Sequence, residues 1–157
     1  MSKKNKPDKS IDKSVKSNIQ AVQSKIKNYQ ELLKEYHITD DHVTPKVILD
    51  KINEHLEYYI KILIQILQPE EFHSLHECTI FDDAEKAKIF EFYKNMMILH
   101  RELVKTHIKN TENDLITTIQ YAHTEMKNYK PEMLKIIQKM QDSWKKQASN
   151  GRMKYFG

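Results

Sequence analysis

The sequence predicts an all-α fold, an antiparallel helical bundle of four to five helices, and three observations carry that prediction. Glycine is nearly absent: only Gly151 and Gly157 occur, both in the last seven residues. Sheets place glycine in hairpins, bulges and tight βα turns, so its absence over 150 residues favours long helices joined by short links. Apolar residues recur at intervals of three and four along most of the chain, which is the period of one helix face. Helix start and stop residues punctuate the chain at Thr44, Pro45, Pro69, Asp82, Asn110 and Pro131. At 157 residues, one domain with a sizeable core is the natural expectation.

Residues 1–10 (MSKKNKPDKS) are lysine-rich with almost no apolar side chain, and read as a flexible basic tail. Val15, Ile19, Val22, Ile26, Tyr29, Leu33 and Tyr36 then alternate by four and three, an uninterrupted heptad seam. Such a seam packs on the chain's own core or pairs with another chain as a coiled coil. Its flanks lack complementary charges, which favours the core. His37 to Val43 reads as a loop, with Thr44 as N-cap and Pro45 in the first turn of a second helix. Leu49, Ile52, Leu56, Ile60, Leu63 and Leu67 form its main stripe, and Ile48, Tyr59, Ile62, Ile64 and Ile66 make its second half apolar nearly all round. That is the pattern of a central, buried helix.

Pro69 opens a short helical segment, PEEFHSLHE. Asp82 and Glu85 form a capping-box pattern that starts the longest helix, Asp83 to Lys109. Its expected inner face holds Phe90, Tyr93, Met97, Leu103 and Val104, broadened by Ile89, Phe92 and Met96. Asn110 to Asn113 is a turn. Leu115, Ile119, Ala122, Met126 and Tyr129 form the next stripe, and Pro131 either kinks that helix or starts a fifth carrying Met133, Ile137, Met140 and Trp144. The helical domain is expected over 11–147, followed by a flexible basic and aromatic tail over 148–157.

The glycine and cysteine counts exclude several chemistries. A Walker A loop, a GxGxxG dinucleotide motif and a GxSxG elbow all need glycines that this chain lacks. The single Cys78 excludes CxxC redox work and cysteine-rich zinc sites, and its isolation suits a reducing, intracellular compartment. Tyr58 to Leu67 is the most apolar run, ten residues with Lys61 and Gln65 inside, half the length of a membrane span.

Two candidate sites remain. The first is Glu70, His73, His76 and Glu77, in which Glu70 to His73 is the chain's one ExxH. Ferritin-like bundles use two such motifs to hold metals, and the missing second motif argues against a metal or cofactor here. His55, His100 and His107 read as core or boundary imidazoles. The second site is the basic ends. Residues 1–30 carry +6, residues 31–126 carry −8 and residues 127–157 carry +6. Lys3, Lys4, Lys6 and Lys9 at one end, and Lys139, Lys145, Lys146, Arg152, Lys154, Tyr155 and Phe156 at the other, combine cations with aromatics. That mixture suits phosphate backbones and unpaired bases. The competing reading is a solvated helix face with Trp144 in the core. Only Arg101 and Arg152 among 26 basic residues are arginine, so the expected attraction is non-specific. The expected role is a non-enzymatic adaptor docking on a nucleic acid or nucleoprotein through its basic ends. The alternatives are a metal-binding bundle enzyme or sensor, and an oligomer joined through the Val15–Tyr36 seam.

Overall fold

The computed structural model describes residues 23–39 and 43–149, and every regular element among them is helical. From Tyr29 onward the described residues form five helices in succession: α1 (Tyr29–Glu35), α2 (Pro45–Leu67), α3 (Phe72–Thr79), α4 (Asp83–Lys109) and α5 (Glu112–Ser149). No helix among the described residues is long and apolar enough to cross a membrane.

The helix starts follow from local chemistry. Thr44 Oγ1 accepts from the Val47 amide, and Pro45 supplies the first turn of α2. Asp82 and Glu85 form a reciprocal capping box at the start of α4. At the end of α4, Asn110 adopts a left-handed conformation with φ 53°, which asparagine tolerates better than most residues, and the chain reverses into α5. Pro131 lies inside α5, and the helix continues through it to Ser149. Pro131 therefore does not start a separate helix, the second of the two alternatives that the sequence left open.

Side-chain partners fix the topology. Glu57 meets His100 and Asp50 meets His107, so α2 and α4 are antiparallel. Thr106 meets Thr118, Tyr129 donates to the Asn95 carbonyl, and Lys139 meets Glu85, so α4 and α5 are antiparallel along their shared length. α1 runs in the same direction as α5: Gln120 donates to the Lys25 carbonyl, Lys127 to Glu31, and Lys130 lies 3.6 Å from Glu35. α2 is central, packing against α3, α4 and α5. Its Ile48, Leu49, Ile52, Leu56, Leu63 and Ile66 are fully buried. Burying apolar surface stabilises by about 25 cal/mol per Å², and this stripe joins the buried residues of α4 and α5 in one core.

Two expectations are corrected. The heptad seam is not one helix. The chain is helical at 23–25, bends at Ile26, and turns at Asn28, which takes φ 56° before α1 begins. Ile26, Tyr29, Leu33 and Tyr36 are buried in the chain's own core. Val15, Ile19 and Val22 lie outside the described residues. The inner face of α4 is also rotated from its expected position. Ile89, Met96, Leu99, Leu103 and Thr106 are buried, whereas Phe90 is exposed and Tyr93, Met97 and Val104 are half-buried. Thr106 is buried because its hydroxyl pairs with that of Thr118, 2.9 Å away.

Candidate functional site

α5 has 38 residues and α4 has 27, so the two cannot match end to end. Glu85, in the first turn of α4, lies beside Lys139, which leaves residues 140–149 to run about 15 Å past the level of Glu85. α3 accompanies this overhang. His76 Nε2 is 2.9 Å from Ser143 Oγ, and Trp144 Nε1 donates to Glu77 Oε1 at 2.8 Å. The imidazole of His76 packs on the Trp144 indole with centroids 4.5 Å apart. The Gln147 amide nitrogen lies 3.3 Å from His76 Nδ1. An amide nitrogen only donates, so Nδ1 accepts and Nε2 carries the proton toward Ser143.

Between this overhang and the α3–α4 turn lies an open groove of about 980 Å³. Ile80 and Leu134 give it apolar walls; Lys135, Lys139 and Lys146 give it charge, with Asp142 as its acidic member. Lys139 is anchored, donating to Glu85 Oε2 at 2.6 Å and lying 5.0 Å over the Phe81 ring. That hydrogen bond, helped by the Asp82 amide, holds the Glu85 carboxyl below its ordinary pKa. Lys135 lies 3.1 Å from Glu132 in an exposed pair.

His76 and Glu77, from the first expected site, therefore lie against the same stretch of α5 that carries Lys139, Lys145 and Lys146 from the second. Lys139 and Lys146 line the groove; Lys145 does not, and is hydrogen-bonded to Gln141 and 3.8 Å from Asp142. Lys135 is an addition. Its spacing of four to Lys139 and eleven to Lys146 places all three on one helix face, a periodicity legible in the sequence. Lys3, Lys4, Lys6, Lys9, Arg152, Lys154, Tyr155 and Phe156 lie outside the described residues. Trp144 is not core: 37% of its surface is exposed. No family model, curated protein or solved structure matches this chain. What it can do must follow from its own side chains.

The Glu70, His73, His76 and Glu77 cluster does not converge on a point. Glu70 is exposed, His73 turns to Glu71 at 3.2 Å, and His76 and Glu77 face α5. Among the described residues no group of three or more histidine, cysteine, aspartate or glutamate side chains is placed to hold a metal ion. Cys78 is half-buried.

A buried polar cluster escaped the sequence reading. His123 is 6% exposed, with Nδ1 3.5 Å from the Tyr36 hydroxyl and 3.6 Å from Glu35 Oε2. The Tyr36 ring also meets His55 edge-on, centroids 5.0 Å apart. Burial pushes the Tyr36 phenol well above its ordinary range, with the Glu35 charge acting in the same sense. Burial also lowers the pKa of His123, helped by Lys127, and that of His55, helped by His37. The signal for His123 was its place in the α5 stripe, four residues after Ile119 and three before Met126.

Proposed function

We propose that this chain is a non-enzymatic adaptor that docks on an anionic polymer, a nucleic acid or nucleoprotein, through the basic distal end of α5. The observation that supports this reading is the convergence of Lys135, Lys139 and Lys146 on one open groove. Exposed ion pairs such as Lys135–Glu132 contribute only about 0–1 kcal/mol, so a chain of phosphates can displace the carboxylate. Lysine offers a point charge rather than a bidentate fork, which suits sequence-independent attraction. Trp144 is held by its indole N–H on Glu77, which leaves part of its ring as a surface on which an unpaired base can stack.

Fluorescence anisotropy with a labelled single-stranded oligonucleotide, titrated with salt, tests this. Log affinity should fall linearly with log salt. Removing Lys135 and Lys146 together as Gln should flatten the slope by about 1.4, roughly 0.7 per lysine on a single strand. Lys51→Gln, on α2 and paired with Glu54, should leave the slope unchanged. Absence of binding in low salt overturns the reading.

A further inference from the structure

α4 has an outer stripe as ordered as its inner one. Glu91, Lys94, Ile98, Arg101, Lys105 and Ile108 are exposed on it, Ile98 by 67% and Ile108 by 77%. Four charges on and beside it are held in two pairs, Lys94 with Glu91 at 2.7 Å and Lys105 with Glu102 at 2.5 Å. The pattern inverts about Ile98. Four residues away on either side stand Lys94 and Glu102, and seven away stand Glu91 and Lys105. Three away stand Asn95 and Arg101, an amide and a guanidinium.

A two-fold axis through Ile98 would set an identical helix antiparallel against this one and bring these four charges to their opposites, with Arg101 set against Asn95 of the copy. Lys94 would face Glu102 of the copy, and Glu91 would face Lys105 of the copy, each contact made twice because the interface is isologous. The two pairs within each helix would then close into two rings of four alternating charges. Ile98 would meet its own counterpart at the centre. A shallow depression of about 450 Å³ lined by Ile98, Arg101, Glu102 and Lys105 lies where Lys94 of the copy would enter. A parallel arrangement would set Lys94 on Lys94 and Glu91 on Glu91, so the pattern also selects the orientation.

We propose that a second copy of this chain docks on this face, α4 against α4, antiparallel about Ile98. The surface is distinct from the broken seam of α1 and from the lysine groove. It is polar around a small apolar centre, the character of a reversible association.

Sedimentation equilibrium of the full chain from micromolar to millimolar concentration should show monomer and dimer, with the dimer weakened by salt. Ile98→Asp places like charges on the axis, and Glu102→Lys opposes two lysines at two symmetric places. Either should raise the dimer dissociation constant by about tenfold or more. Combining Lys94→Glu with Glu102→Lys restores opposite charges across the axis and should bring the constant back to within about threefold of the starting value. All three side chains lie on the surface, and circular dichroism checks that each variant keeps its helix content. In a Cys78→Ser background, Ile98→Cys should form a disulfide-linked dimer under mild oxidation. Ile108→Cys should not, because the axis sets it against Lys88 of the copy. A chain that stays monomeric throughout overturns the proposal, as does a dimer indifferent to both Ile98→Asp and Glu102→Lys.

Discussion

His123 Nδ1 faces Glu35 and Tyr36, while Nε2 is buried with no hydrogen-bond partner among the described residues. The neutral ring with its proton on Nδ1 suits this setting, since Nε2 then presents only a lone pair to its apolar surroundings. Protonation would bury an N–H without an acceptor, which is the physical content of the lowered pKa. His55, on the other side of Tyr36, is shifted the same way. The sign of the pH dependence follows. Both folded-state values lie below the ordinary value of 6.5, so the unfolded chain takes up protons first as pH falls. Stability should be full above that value and decline as pH drops below it toward the folded-state values. Thermal melting between pH 7.5 and 5 should show a falling Tm, and a His55→Gln and His123→Gln double variant should show a shallower fall. An identical slope in the variant would assign the acid sensitivity to other groups, such as the Glu31 carboxyl, which Lys127 holds below its ordinary pKa.

At the scale of the element, α2 should dominate stability. Leu56 and Leu63 are both 0% exposed, and truncating either to Ala removes buried methyl groups from the helix that touches three others. Each should cost about 2–5 kcal/mol in urea unfolding. Asp82→Ala tests a separate feature, the capping box of α4, and should cost about 0.5–2 kcal/mol. The limits of α2 and α4 were legible in the sequence because Thr44 with Pro45, and Asp82 with Glu85, act locally. The central position of α2 was legible because its second half is apolar nearly all round. The orientation of α4 was not. Phe90, Ile98 and Ile108 make its outer stripe apolar enough to compete with the inner one, and only tertiary packing chooses between them. The break at Asn28 was hidden because the left-handed turn leaves the heptad spacing intact on either side. For the groove, the shared face of Lys135, Lys139 and Lys146 was legible from their spacing, but the groove itself depends on how α3 and α4 meet α5.

At the scale of the whole molecule, the groove and the outer face of α4 are placed to cooperate. Lys139 lies beside Glu85, and Glu85 stands thirteen residues before Ile98 on the same helix. A two-fold axis at Ile98 therefore puts the two grooves at opposite ends of the paired helices, roughly 40 Å apart at the standard rise per residue. If both proposals hold, a strand long enough to span that distance engages two grooves at once, whereas a short one engages a single groove. The second contact is then intramolecular and adds affinity without any new kind of interaction. Measured at concentrations where the dimer forms, long oligonucleotides should bind the native chain more tightly than Ile98→Asp, and short ones should bind both alike. An equal loss at both lengths would show that Ile98→Asp disturbs the groove itself rather than the pairing of chains. If native and variant bind long strands equally while the dimer is present, the two grooves do not share one strand, and pairing serves some purpose other than polyanion avidity.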